Sequence, residues 1–177
     1  MALEKEIHQT GFRSEQQKGL LNIFYTYSFL VSQVNESFKK YDITRQQYNV
    51  LRILRGQYPS HVSVYTIRER MLDKMSDASR IVERLRIKGL ITRKSAEKDK
   101  RAAAVTITDQ GLELLKVMEP ETERMDSLLA NLSEKEVQQL NTLLDKIRIG
   151  ISIPLPEPDE HNEKHKPVEK ISTLAPL

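Results

Sequence analysis

Residues 62–91 read VSVYTIRERMLDKMSDASRIVERLRIKGLI, and the spacing of their apolar positions predicts two short helices joined by a tight turn. We expect Ser63 to cap the first helix, over about 64–72, and Ser76 to cap the second, over about 77–88. The inward-facing positions are Val64, Ile67, Met71 and Leu72 in the first helix and Ala78, Ile81, Val82 and Leu85 in the second. Two short helices at this separation form a helix-turn-helix pattern.

A small β-hairpin is predicted directly after these helices. Beyond Gly89 the pattern changes, and residues 90–93 and 104–107 have the composition of strands. Residues 94–101, KSAEKDKR, are too polar for a core and are predicted to form the hairpin tip. The hairpin would therefore lie beside the helix-turn-helix as a charged wing.

Further helices are predicted on both sides of this unit. Ser14 begins a helix to about residue 40, which is apolar over so much of its circumference that we expect it to pack against a second partner. A shorter helix follows over 44–55, and residues 109–149 continue as helices with a kink at Pro120. The fold class predicted is mainly α with a small β wing.

The positive charge is concentrated in the middle of the chain. Residues 61–108 hold twelve lysines and arginines against six aspartates and glutamates, a net charge of +6, which leaves −3 for the rest because the whole chain carries +3. A basic segment inside an acidic remainder is typical of a nucleic-acid-binding protein, although a solvated, salt-bridged surface has the same composition.

The composition excludes several classes of site. The chain has no cysteine, which removes disulfides, thiolate nucleophiles and cysteine-ligated metals. Neither a GxGxxG nor a GxxxxGK[ST] pattern occurs, and we expect no cofactor and no enzymatic activity. His161 and His165 are four residues apart, but they lie in a proline-rich segment where no helix is expected, so we predict no metal site.

Without a secretory signal or a long apolar run, a cytoplasmic location is expected.

Three motifs in order resemble the MarR family of bacterial transcriptional regulators over about residues 14–148. Residues 75–91 are similar to that family's recognition helix and the start of its wing. Asp99-Lys-Arg101 matches the family's Asp-x-Arg wing signature, and residues 107–111, ITDQG, match its Leu-Thr-x-x-Gly exit from the wing with isoleucine for leucine.

The resemblance implies a winged helix-turn-helix core flanked by N- and C-terminal dimerisation helices. The DNA-binding lobe would span about 61–108, within a domain covering 14–150, and the dimerisation helices would be about 14–40 and 109–149. The apolar stripes at 20–38 and 137–147 independently suggest that these two helices pack against a second copy of the chain. We expect residues 1–13 to form a flexible arm and residues 151–177, which hold five of the seven prolines, a disordered tail.

The first residues of the recognition helix are the candidates for base contacts, since such a helix enters the major groove N-terminus first. Arg80 is the best candidate for a bidentate contact to guanine. Ser76 caps the helix or contacts a base, and Ser79 contacts a base or a phosphate. Asp77 either accepts a hydrogen bond from a cytosine amine or only favours the helix N-terminus.

Lys74, Arg84 and Lys88 are expected to position the protein through phosphate contacts if their faces meet the DNA backbone. Otherwise they face solvent, or Arg84 pairs with an acid. In the family the wing aspartate braces the fold through an arginine, so Asp99 would pair with Arg84 or Arg93.

The wing residues Lys98, Lys100 and Arg101 are also candidates for DNA contacts. We expect Lys100 or Arg101 to enter the minor groove, whose negative potential attracts cations.

The function predicted is a homodimeric, sequence-specific regulator, either repressor or activator, bound to a pseudo-palindromic operator. The family implies an effector, a small aromatic or other anion, whose binding residues the sequence does not identify; oxidation of a cysteine is excluded. The alternative is a winged-helix adaptor for protein interactions, which the +6 excess disfavours.

Overall fold

The computed structural model describes residues 2–96 and 99–149, with the backbone alone at 95–96 and 99–103, and these residues are mainly helical with one small sheet. The predicted fold class is therefore confirmed. The helices are α1 Leu3–Glu6, α2 Glu15–Phe38, α3 Arg45–Arg55, α4 Val64–Arg70, α5 Ala78–Ile87, α6 Asp109–Val117, α7 Glu119–Asp126 and α8 Glu134–Ile149, with 3-10 turns at Lys39–Tyr41 and Ser127–Leu129. The strands are β1 Val62–Ser63, β2 Ile91–Ala96 and β3 Asp99–Ile107.

The sheet is antiparallel in the order β1-β3-β2. Val62 of β1 pairs with Val105 of β3, and Ile91 of β2 pairs with Ile107. The sequence did not predict β1, because two residues show no alternation that could be recognised. Through β1 the entrance to the helix-turn-helix is fixed to the wing.

The hairpin strands are longer than predicted. Residues 94–101 were expected to form the tip, whereas β2 runs to Ala96, β3 begins at Asp99 and these two residues pair. The ladder is irregular between Lys94 and Ala96. Composition underestimated the strands because backbone pairing continues wherever antiparallel chains stay in register, whether or not their residues are apolar.

The core is formed by the inward faces of α3, α4, α5 and α6 against the sheet. Its fully buried members include Leu51, Leu54, Ile67, Met71, Val82, Leu85, Val105, Leu115 and Met118. The predicted inward positions of α4 and α5 are confirmed with one correction. Leu72 is 80% exposed, because α4 ends at Arg70 and Leu72 no longer follows the helical period.

Helix α2 is attached to the core by its C-terminal end. Phe38 is completely buried, with its ring centroid 4.8 Å from that of Tyr48 on α3. Earlier in α2 the large apolar side chains are exposed, among them Leu20, Phe24, Tyr27 and Phe29. Most of this 24-residue helix therefore presents an apolar surface that the described chain does not cover.

The predicted kink at Pro120 is confirmed, since α6 ends at Val117 and a new helix, α7, begins at Glu119 with Pro120 in its first turn. The next residue, Glu121, is buried and its Oε1 lies 2.5 Å from Nζ of Lys40, just after α2. Although burial opposes ionisation, the hydrogen bond from the Lys40 ammonium holds the pKa of Glu121 below its ordinary value. This ion pair joins α7 to the end of α2.

The N-terminal segment contains one helical turn, α1, that the sequence pattern did not predict. Glu4 forms an ion pair with Lys18 of α2 at 2.6 Å, and the Tyr25 hydroxyl donates to Glu6 at 2.9 Å. Four residues are too few to show a helical period.

The chain divides after Asn131 into two compact units, and α8 belongs to the second. A capping box begins this helix, because the Ser133 N–H donates to Oε2 of Glu136 at 2.8 Å and the Glu136 N–H donates to Oγ of Ser133 at 3.4 Å. Leu143 and Ile147 of α8 are exposed. None of the described helices is long and apolar enough to cross a membrane.

The junction between α5, the wing and α6 depends on two glycines and a threonine. Gly89 ends α5 with a φ of +72°, a left-handed conformation that glycine adopts without strain. The Thr108 hydroxyl donates to the Gly89 carbonyl at 2.8 Å and accepts from the Gly111 N–H at 3.1 Å. A Cβ on Gly111 would lie only 2.3 Å from the Leu90 carbonyl oxygen. These contacts fix the wing relative to α5.

Candidate nucleic-acid interface

The N-terminus of α5 is capped by Asp77, not by Ser76 as predicted. Asp77 has an extended backbone, and its Oδ1 accepts from the Arg80 N–H at 3.1 Å. Aspartate caps a helix as well as serine does, and its charge is attracted by the positive end of the helix dipole. The helix therefore starts one residue later than predicted, with Asp77 in the capping position that was assigned to Ser76.

The Ser76 hydroxyl instead stabilises the turn before α5. It donates to Oδ2 of Asp73 at 2.8 Å, while Oδ1 of Asp73 accepts from the Met75 N–H at 3.1 Å. The Ser76 hydroxyl, the Met75 N–H and the charge of Arg45 hold the pKa of Asp73 below its ordinary value. From α3, Asn49 accepts the Leu72 N–H at 3.0 Å. The turn that presents α5 is therefore held by hydrogen bonds at both ends.

Arg80 is the most accessible charged group at the start of α5. Its side chain is 82% exposed, and its Nε lies 3.3 Å from Oδ2 of Asp77. Both residues are in the first turn, so an acid and a guanidinium with five N–H donors are presented together. This arrangement suits recognition of a flat edge that carries two acceptors.

A concave surface between α4 and α5 collects most of the predicted residues of the helix. We call it the α4–α5 groove, and it is lined by Val64, Tyr65, Arg68, Lys74, Met75, Ser76, Asp77, Ala78, Ser79 and Arg93. Lys74, Ser76, Asp77 and Ser79 were predicted as DNA contacts. The structure thus places four separately predicted side chains on one continuous surface.

Six lining residues were not predicted as contacts: Val64, Tyr65, Arg68, Met75, Ala78 and Arg93. Tyr65 and Arg68 are three apart on α4, so they share one face of the helix, and both are exposed. That spacing was a usable signal. Met75 had none, because it falls in the predicted turn between the two helices, where no helical period indicates which side chains are exposed.

Arg84 lies apart from the α4–α5 groove. It follows Arg80 by one turn of α5 and borders a second depression, with Lys39, Ile43 and Gln47 among its other lining residues. The structure therefore does not bring Arg84 together with Lys74, although both remain exposed.

The wing residues are described only in part. Lys98 lies outside the described residues, and for Asp99, Lys100 and Arg101 the backbone alone is described, as the start of β3. Arg93 pairs with Val105 in the hairpin ladder, whereas Asp99 pairs with Ala96. The bracing role of Asp99 and the DNA contacts of the wing stay predictions.

Within residues 2–96 and 99–149, no three histidine, aspartate or glutamate side chains come together as a metal site. His161 and His165 lie outside these ranges.

Comparisons with known proteins agree on one family. The MarR family matches residues 41–102. The HTH-type transcriptional regulator MgrA of Staphylococcus aureus is 32% identical over 113 residues, which cover 64% of this chain and 75% of MgrA.

Solved structures share the fold. A MarR transcription factor from Planctomyces limnophilus has 29% identity and a TM-score of 0.59, covering 76% of this chain and 98% of that protein. The structure of S. aureus MepR in complex with DNA has 22% identity and a TM-score of 0.62, covering 73% and 96% of the two chains. With the helix-turn-helix, the paired wing and the glycine–threonine junction in place, the chain belongs to the MarR family of transcriptional regulators.

Proposed function

We propose that this protein is a sequence-specific DNA-binding regulator that acts as a homodimer on a pseudo-palindromic operator. In each half-site, α5 enters the major groove with its N-terminus first. The observation that carries the proposal is the presentation of Arg80, 82% exposed in the first turn of α5, next in sequence to Ser79 of the α4–α5 groove. Its guanidinium would donate two hydrogen bonds to the O6 and N7 of a guanine.

Cations beside α5 are suited to phosphate contacts. Lys74, Arg68 and Arg93 line the α4–α5 groove, and Arg84 lies on the other side of Arg80. Phosphate contacts fix the register of a protein on DNA without reading sequence. We assign Lys74 and Arg84 this role, with Ser76 and Ser79 contacting a base or a phosphate.

The wing, about residues 94–101, is assigned to the minor groove. Lys98, Lys100 and Arg101 would provide its positive charge, and Asp99 would brace it through a neighbouring arginine. This assignment rests on the family's wing signature and on the attraction of the minor groove for cations.

Homodimerisation is supported by the apolar surface of α2. The exposed side chains there, among them Phe24 at 60%, form a face larger than isolated surface residues require. The exposed Leu143 and Ile147 of α8 are a second such face. A two-fold axis relating two copies would place their α5 helices about 34 Å apart on DNA, or one helical turn. An effector that alters DNA affinity is the expectation from the family.

The proposal is tested by selecting duplexes from a random library and measuring affinity at several salt concentrations. With several phosphates neutralised per protomer, affinity should fall ~10³-fold or more between 50 and 200 mM salt. Arg80→Ala should weaken binding by ~5- to 150-fold and relax the preference at one base per half-site. Arg101→Ala should weaken binding to all sequences alike.

Arg148→Ala is the matched control, because Arg148 also pairs with an acid three residues earlier, Asp145, but lies on α8. It should leave base preference unchanged. The proposal is contradicted if DNA affinity does not change with salt concentration, or if Arg80→Ala alters neither DNA affinity nor base preference. If the protein binds no DNA but binds another protein with an affinity that does not depend on salt, it is instead the winged-helix adaptor for protein interactions.

A further inference from the structure

Met75 is exposed in a way that sets it apart from other methionines of this chain. Its exposed fraction is 94%, whereas Met71 and Met118 are buried in the core at 1% and 0%. Its backbone is nevertheless held, because its N–H donates to Asp73 in the turn before α5. An apolar side chain is thus presented to solvent from a fixed point.

The position of Met75 places it where the proposed function puts DNA. It precedes the helix cap Asp77 by two residues and lines the α4–α5 groove together with Lys74 and Ser79. On the proposed function, on which this inference rests, that groove faces the major groove of a half-site. Met75 then reaches base edges from the N-terminal end of α5.

The chemistry of the major groove offers an apolar side chain one partner. The exposed base-pair edges carry hydrogen-bond donors and acceptors, and the only apolar group among them is the C5-methyl of thymine. Methionine is unbranched and flexible, so its thioether adapts to such a group more readily than a branched side chain does. We infer that Met75 is a specificity-determining residue that packs against a thymine methyl in each half-site, beside the base read by Arg80.

The contact has a measurable signature in the DNA. Replacing thymine with deoxyuridine removes the methyl and leaves every hydrogen bond of the base pair in place. For the wild-type protein, this substitution at the sensitive position of one half-site should weaken binding about fourfold, which corresponds to ~0.8 kcal/mol for one methyl-sized group. Substituting both half-sites should weaken it by about sixteenfold.

The experiment scans deoxyuridine through every thymine of a selected operator, using wild-type protein, Met75→Ala and Leu72→Ala. Met75→Ala should lose sensitivity at the one sensitive position and keep wild-type behaviour elsewhere. Leu72→Ala is the matched control, since Leu72 is also highly exposed and near the same turn but does not line the groove. It should retain the wild-type pattern.

The inference is overturned if no thymine is sensitive in the wild type, or if Met75→Ala keeps the full sensitivity at every position. Sensitivity lost equally in Leu72→Ala would also overturn it, because the turn and not the thioether would then be responsible. A selection that yields no sequence preference is a failure of the proposed function, and it differs from a specific complex that is indifferent to the thymine methyls.

Discussion

Replacing Gly111 with alanine should destabilise the protein, because the first turn of α6 lies directly against the backbone of the wing. A Cβ at this position would lie 2.3 Å from the Leu90 carbonyl oxygen and 2.8 Å from Cγ1 of Ile107. A carbonyl cannot rotate away as a side chain does. The Leu90 oxygen also accepts the Thr108 N–H at 3.1 Å, so moving it strains that hydrogen bond.

The expected loss follows from these two effects. Forcing an extra carbon into a packed site costs ~1–3 kcal/mol. Weakening the hydrogen bond between Thr108 and Leu90 adds ~1 kcal/mol. The free energy of unfolding should therefore fall by ~2–4 kcal/mol, and since each kcal/mol lowers Tm by ~2–4 °C in a chain of this size, Tm should fall by ~4–16 °C.

Thermal unfolding followed by circular dichroism measures this at one fixed protomer concentration, because self-association raises Tm. Gly56→Ala is the control: Gly56 has a φ of −66°, and a Cβ there would meet its nearest neighbours at 3.6 Å, an ordinary contact. Its Tm should stay within ~2 °C of wild type. If Gly111→Ala has the same Tm as Gly56→Ala, the close approach of α6 and the wing does not require glycine, and the reasoning is refuted.

Three further changes address the helix cap, the buried acid and the apolar face. Asp77→Ala should lower the free energy of unfolding by ~1 kcal/mol through loss of the cap, whereas Asp77→Asn should change it by only a few tenths of a kcal/mol. Equal losses for the two variants in chemical denaturation would contradict the capping role. Because Lys40 lowers the pKa of Glu121 in the folded state, the charged carboxylate stabilises the fold fully above the ordinary glutamate pKa of ~4.3, and this contribution is lost as the pH falls below that value. The Tm difference between wild type and Glu121→Gln should accordingly be largest at neutral pH and shrink towards pH 3, and a difference independent of pH would exclude the ion pair as its cause. Phe24→Asp should shift sedimentation towards a monomer, and an unchanged sedimentation coefficient would remove α2 from the dimer interface.

The local features of the fold were predictable because their causes are local. The cap Ser63 and the break at Pro120 depend on a few neighbouring residues, and both occur where the sequence places them. The choice of Asp77 over Ser76 as the cap was not predictable, since both residues cap well. It depends on Asp73, which takes the Ser76 hydroxyl for the turn.

Features that depend on distant partners escaped sequence reasoning. Strand β1 exists because Val62 meets Val105, more than forty residues away. Leu72 was predicted to be buried as part of the first helix, and it is exposed because α4 ends at Arg70. The α4–α5 groove was predicted residue by residue on α5, but its α4 side, with Tyr65 and Arg68, required the packing of the two helices.

The contact between Arg80 and Asp77 has a consequence for how the protein finds its target in a genome. An exposed ion pair of this kind contributes ~0.2–1 kcal/mol. Exchanging the Asp77 carboxylate for one DNA phosphate as the partner of Arg80 would therefore change the free energy little. On ordinary sequence, Arg80 can therefore stay with Asp77 and contribute little to holding the protein there. On the proposed function, that restraint would shorten the time spent at each of the ~10⁶–10⁹ competing sites, while a guanine with two acceptors would still draw the arginine away. The acidic neighbour Asp77 would thus reduce non-specific occupancy and leave more of the protein available to the proposed operator.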